Sequence, residues 1–225
     1  MYYYAKTKGV YKIFGKSFVA SNKNNIIIII NYKDSPFVHE CELQEGDNRI
    51  SLIIKTPLTN ITEMFSGCNS LKDINEIRYL DVSKVKYFDL AFAHIVNLSD
   101  ISPLGNWDVS NGESFMSMFE GCSSLANIKP LKNWNVSKGV DFGGMFNGCS
   151  CLLEIKALYK WNVSNGEYFS FMFNDCCKLS NISHIKKWNV SNGKDFEGMF
   201  YNCPCSIDSL KDWNLSKDKF DSIQK

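Results

Sequence analysis

At 225 residues the chain can bury a sizeable core, and 25 Lys and Arg stand against 24 Asp and Glu, a net charge of +1 that favours neither nucleic acid nor an anionic membrane surface as partner. No stretch approaches the roughly 20 apolar residues that cross a bilayer, and Ile26 to Ile30 is only strand length. Met1 to Lys16 is aromatic and basic, without the apolar run and small-residue cleavage site of a secretory signal, which predicts a cytosolic protein.

Residues 1–52 do not repeat and read as an N-terminal β-rich cap. Val10 to Phe14 and Asn25 to Tyr32 have strand composition, Asn31 to Ser35 a turn, and Phe37 to Leu43 can return. The end units of a repeat array have to cover exposed edges, and this segment is assigned that role; a separate recognition domain is the alternative.

Residues 53–225 repeat. All five tryptophans stand at 107, 134, 161, 188 and 213, the first four spaced by 27 residues. A period of this size means one unit stacked on copies of itself. Trp107 heads a third repeat with Phe115, Met118, Phe119, Cys122, Leu125, Ile128 and Leu131 in fixed columns. The same columns run from a first repeat headed by Ile53 and a second by Leu80 to a sixth headed by Trp188, which loses two residues before Trp213. Within one unit, apolar side chains at 115, 118, 119 and 122 follow one helical face, and Ser110 with Glu113, like Ser164 with Glu167, has capping-box spacing. A short helix is predicted there. Gly67, His94, Gly121, Gly148, Asp175 and Asn202 share a column of residue types found at positive φ, the predicted left-handed stop. Ala126 to Lys129, between Leu125 and Leu131, is assigned as a parallel strand. The repeat reads as an α+β solenoid, a stack of six 27-residue coils with short parallel strands and short helices and an N-terminal β cap.

Trp107-Asp108-Val109-Ser110 with Met118-Phe119-Glu120-Gly121-Cys122-Ser123-Ser124-Leu125, and the equivalents from Met64 to Leu71 onward, resemble the BspA-like leucine-rich-repeat surface-protein family, whose coils read W-[DN]-x-S followed by M-F-x-G-C-x-x-L. The resemblance covers about three quarters of the chain. It implies that the α+β solenoid is a right-handed leucine-rich-repeat-like stack, an interaction scaffold without chemistry of its own, with surface display or adhesion as its setting.

Nine cysteines invite a metal-binding or thiol-redox reading, which is the alternative function. Cys68, Cys122, Cys149, Cys176 and Cys203 share one column with Ile95, however, which asks for a small apolar side chain and predicts a buried thiol ladder. Cys151 and Cys205 share a second column, and no C-x-x-C pair occurs. No metal or cofactor is expected. The N-x-[ST] sequons at Asn60, Asn97, Asn135, Asn162, Asn181, Asn189 and Asn214 mostly come with the repeat and read as structural. His39, His94 and His184 lie in unrelated columns, and Gly143-Gly144 is not followed by the lysine of a phosphate loop, so no catalytic residue is nominated and the chain reads as a non-enzyme. The candidate partner-binding residues are an outward polar stripe, Asp73, Asp100, Asn127, Glu154, Asn181 and Asp208, suited to a basic or hydrogen-bonding protein ligand and flanked by Lys129, Lys132, Lys156, Lys186 and Lys187.

Overall fold

The computed structural model describes residues 1–225. Seven strands and two short α-helices are formed: β1 (Tyr2–Ala5), β2 (Gly9–Lys12), α1 (Lys16–Asn22), β3 (Ile26–Ile30), β4 (Lys33–Ser35), β5 (Glu40–Leu43), β6 (Gly46–Ile54), β7 (Leu71–Asp73) and α2 (Lys217–Ser222). A five-stranded sheet has the order β4-β3-β6-β1-β7, and β2 pairs with β5 separately. Every strand pair is antiparallel. The five consecutive β-branched residues of β3 suit a pleated, largely covered strand. They pair with β6 from Ile26 opposite Ile54 to Ile30 opposite Ile50. β6 runs through residue 52, so Ile53, assigned to head the first repeat, lies half exposed in the sheet.

The leucine-rich-repeat solenoid is overturned. All named strands are antiparallel and all but β7 lie in residues 2–54, whereas the repeats consist of turns and short 3₁₀ helices. No helix forms over Ser110 to Cys122. The amides of Met118, Cys122 and Leu125 instead bond to the carbonyls three residues back, Phe115, Phe119 and Cys122, at 2.9–3.2 Å. Successive three-residue turns place residues 115, 118, 119 and 122 inward, as a helix would. The capping boxes dissolve with the helix: Glu113 pairs with Lys86 and Glu167 with Lys194, each at 2.7 Å. The parallel strand at Ala126 to Lys129 is also absent, and a 3₁₀ helix begins at Lys129 (Lys129–Asn133). Ile128 and Leu131 point inward because three residues make one 3₁₀ turn, closed by Leu131 N on Ile128 O at 3.0 Å, and Leu125 is buried in the irregular segment before it.

Neighbouring repeats are nevertheless in register. Phe88, Phe115, Phe142, Phe169 and Phe196 stack with ring centroids 5.1–5.6 Å apart and near-parallel planes. A second file runs from Phe92 to Phe200 at 5.2–5.7 Å. Each indole reaches back to the preceding repeat: Trp161 Nε1 donates to Leu131 O at 3.0 Å and Trp188 Nε1 to Leu158 O at 3.0 Å. These side chains join those beneath the N-terminal sheet in one continuous apolar core.

Backbone bonds between repeats mostly run one way. Phe142, Gly144, Phe146 and Gly148 donate to the carbonyls of Tyr168, Ser170, Met172 and Asn174 at 2.8–2.9 Å, and the same set recurs at each junction from Ile61 to Asp175. The intervening peptides close local turns, as Met145 N to Phe142 O and Asn147 N to Gly144 O, so they do not oppose this alignment. Positive φ at Glu63, Leu90, Ser117, Gly144, Phe171 and Gly198, and again at Gly67, His94, Gly121, Gly148, Asp175 and Asn202, turns the peptides accordingly. The second of these columns is the left-handed column that its residue types imply. Reverse bonds lie outside these four donor columns: Lys194 N and Asp195 N, for instance, donate to Glu167 O, and Leu153 N to Ala126 O. Parallel pairing is reduced to single-residue bridges linking Asn60, Tyr87, Ser114, Asp141, Tyr168 and Asp195.

Such a ladder presents carbonyls at its first repeat and amides at its last, and buried polar groups need partners. At the first, Gly15 N, preceding α1, donates to Met64 O at 3.3 Å and the buried Asn22 side chain to Asn60 O at 3.3 Å. Glu63 returns a carboxylate oxygen to Ser17 N at 3.1 Å, serving the otherwise uncapped start of α1. Gly15 is required there, since a Cβ would lie 2.1 Å from Glu63 O. At the last repeat, Gly198 N and Phe200 N donate to Ser222 O and Ile223 O at 2.9 Å, so the free carbonyl end of α2 meets the free amide end of the ladder.

Candidate interaction face

The one-way ladder leaves its outer surface to the columns of Asp141, Gly143, Gly144 and Asn147. Along them from first repeat to sixth, every charged residue is acidic: Glu63, Asp89, Glu120, Asp141, Asp195 and Glu197. Interleaved with these acids are large apolar side chains that remain in solvent, Tyr87, Met116, Tyr168, Phe171 and Tyr201, each 40–44% exposed. The fourth repeat contributes Gly143 and Gly144, both buried under neighbouring side chains: a Cβ on Gly144 would lie 2.8 Å from the Ser117 hydroxyl and one on Gly143 3.1 Å from Asp141 Oδ1. Side chains lean towards the next repeat. The Phe171 ring lies over Gly198, where a Cβ would come within 2.5 Å of it.

The carboxylates differ in setting. Asp89 accepts from the Ser114 hydroxyl and from Met116 N at 3.2 Å, yet partial burial raises its pKa above the ordinary carboxylate value. Asp141 accepts from Gly143 N at 2.8 Å and is also raised, first by burial and then by the like charges of Asp89 and Asp195. Lysines border this face but do not enter its columns. Lys194 binds Glu167 at 2.7 Å and lies 6.0 Å over the Tyr168 ring.

The stripe singled out from the sequence lies elsewhere, beside the 3₁₀ helices. Asp73, Asp100, Asn127 and Asn181 each accept from the amide two residues on, at 2.8–3.1 Å, at the entry to a 3₁₀ turn. Glu154 is 3.6 Å from Lys129, and Asp208 pairs with Lys211 at 2.6 Å. The structure brings these residues together along one edge, where they are exposed or half-buried and their oxygens hold local turns. Of the sequon asparagines, Asn60, Asn135, Asn162, Asn181 and Asn189 make the same contact with the amide two residues on, a structural use of the side chain.

The cysteines make no disulfide. Cys122, Cys149, Cys176 and Cys203 each donate Sγ–H to a phenylalanine carbonyl of the preceding repeat, at 2.9–3.3 Å. Burial pushes Cys68 and Cys122 up to about 12, and Cys149 is raised in the same way, which opposes the thiolate that redox chemistry and metal binding need. No group of three or more His, Cys, Asp or Glu side chains is arranged to hold a metal ion. A cavity of about 280 Å³ between β6 and the first 3₁₀ helix (Asn75–Tyr79) is lined by Met1, Ile50, Leu52, Ile77 and Leu80, with Arg49 and Glu76 its charged members. It gathers no nucleophile with a base.

The family model described as "Mycoplasma protein of unknown function, DUF285" matches residues 41–157 and 125–223. The chain belongs to this family. Its two matches overlap over residues 125–157, within the third and fourth repeats of this DUF285 chain. No curated protein and no solved structure matches the chain. No helix is long and apolar enough to cross a membrane.

The residues of the ladder face are absent from the sequence-based candidates. Their signal was available in part: Tyr87 and Tyr168, and Asp141 and Asp195, recur in one column. Which columns face solvent became visible only with the turn conformation.

Proposed function

We propose that the protein is a non-enzymatic, protein-binding scaffold whose 27-residue repeats present one extended recognition surface. The observation that carries this reading is the ladder face itself: aromatic and acidic side chains repeat along adjacent, hydrogen-bonded units, without a convergent set of acid, base and nucleophile. A surface of that kind recognises by shape and charge over several repeats. The motif resemblance to BspA-like surface proteins supports the same reading and gives adhesion or surface recognition as its setting. Fractionation of the native source distinguishes the cell surface from the cytosol.

The test is affinity capture with the intact chain from its native source, followed by metal analysis of the purified protein. The scaffold reading expects a protein partner retained in stoichiometric amount and no bound metal. Stoichiometric metal on the cysteines, or turnover of a captured small molecule, would replace it with the cysteine-centred alternative or with an enzyme.

A further inference from the structure

We infer that the ladder face is the docking site for an extended lysine- and arginine-rich segment of a protein partner, laid along the stack from the second repeat to the sixth. This rests on the scaffold reading and names its surface and its ligand chemistry.

Charge segregation is the first argument. The chain as a whole is nearly neutral, yet this face carries only acids, while Lys129, Lys132, Lys156, Lys160, Lys186 and Lys187 are exposed around the 3₁₀ helices. A cationic segment is complementary to the face, whereas the 3₁₀ edge mixes its lysines with Asp73, Asp100, Glu154 and Asp208, two of them in ion pairs. The aromatic side chains are the second argument. Aromatic rings attract ammonium and guanidinium groups through the negative charge of their faces. The molecule already shows this chemistry at the border of the face, with Lys194 held by Glu167 and lying over Tyr168.

The third argument is the cost the face carries when empty. Asp141 is half-buried near Asp89 and Asp195, an arrangement that disfavours its ionised form. A docked cation relieves that repulsion, so binding recovers interaction energy that the free protein lacks. Both ends of the ladder meet α1 and α2, so the partner is read by side chains and not by addition of a strand.

Dimensions set the length. Equivalent rings of neighbouring units lie 5.1–5.6 Å apart from the second repeat to the sixth, and four such steps come to roughly 20 Å. An extended segment of about six to eight residues spans that distance.

The test uses fluorescently labelled peptides of about eight residues, one alternating lysine and arginine with serine and one with glutamate at the charged positions. Anisotropy titrations are run on the full chain at about 50 mM and about 300 mM salt. The basic peptide is expected to bind, the acidic one not to bind, and affinity to fall with salt. Asp141→Asn with Asp195→Asn and Glu197→Gln is expected to weaken the basic peptide at least about tenfold. Asp100→Asn with Glu154→Gln, on the 3₁₀ edge, leaves affinity within about twofold, and circular dichroism reports whether each variant is folded. Should the triple variant fail to fold, amide shift changes in the wild-type chain serve instead. Changes centred on Tyr168, Phe171 and Glu197 support the site; changes centred on Asp100 and Glu154 overturn it. Absence of basic-peptide binding, or equal affinity in the triple variant, also overturns it. A native protein captured equally by wild type and triple variant would leave the scaffold standing and remove this face. Peptide binding without any captured protein would instead count against the scaffold.

Discussion

Phe146→Ala tests whether the stacked aromatic file holds the repeats together. Phe146 is fully buried between Phe119 and Phe173, at centroid distances of 5.7 and 5.5 Å with planes 8° and 7° apart. Truncating a buried phenylalanine costs about 3–5 kcal/mol through lost transfer energy and the cavity left behind. Stacked partners add about 0.5–1.5 kcal/mol each beyond area. Phe200 is an internal control, being equally buried but stacked in this file on Phe173 alone, at 5.2 Å. Phe146→Ala should therefore exceed Phe200→Ala by about 0.5–1.5 kcal/mol, one stacking partner's worth. Urea unfolding followed by tryptophan fluorescence and by circular dichroism measures both, and coincident transitions license the comparison. A loss below about 1 kcal/mol for Phe146→Ala, as for a surface position, would refute the stacking argument, and equal losses would refute its pairwise form.

Trp161→Phe keeps most of the ring but removes the indole bond to Leu131 O, which still accepts from Trp134 N at 3.1 Å, at a cost of about 0.5–1.5 kcal/mol by chemical denaturation. A loss near zero would mean that water or a neighbour replaces the bond. The buried thiols predict alkaline instability. With Cys68 and Cys122 pushed up to about 12 from an ordinary value of 9.0, the unfolded chain releases its thiol protons first, so stability is full below pH 9 and falls as pH rises towards 12. Replacing both by alanine should flatten this part of a melting-temperature profile; an unchanged slope would contradict the assignment. Asp141→Asn should raise the melting temperature at pH 7, where the raised carboxyl is ionised at a cost, and make no difference below its ordinary value of 3.8, where folded and unfolded chains are both protonated. Equal effects at both pH values would point to packing instead of charge.

The period, the buried columns and the left-handed column were legible because one inward position per repeat has to be filled by the same kind of side chain in every unit. The conformation joining those columns was not. Phe115, Met118, Phe119 and Cys122 have the spacing of a helical face, but consecutive three-residue turns produce the same pattern, and only the amides of Phe115, Ser117, Phe119 and Gly121, all donated to the next repeat, tell the two apart. Ile128 and Leu131 did carry a usable signal: a spacing of three is the 3₁₀ period, whereas a strand alternates by two. At the N-terminus β1, α1 and β6 were missed, and β4 was read as part of a turn. Tyr2 to Ala5 is too short to show alternation, and α1 takes its stability from Phe18 packing on Phe14 and Phe37 and from contacts with the first repeat. The polar stripe was legible as a column but not as a set of turn caps, since that use depends on 3₁₀ helices that the strand assignment had displaced.

Residue-resolved amide hydrogen exchange tests most directly whether the repeats are joined by a one-way ladder. The amides of Phe115, Ser117, Phe119 and Gly121, and of Phe142, Gly144, Phe146 and Gly148, all donate across a central junction. Each should exchange only through global unfolding, as a protected block in both the third and the fourth repeat. Exchange of Ser117 and Gly144 at the rate of an unprotected peptide would show that the junctions are not bonded in this way, and the shared face built on them would not exist.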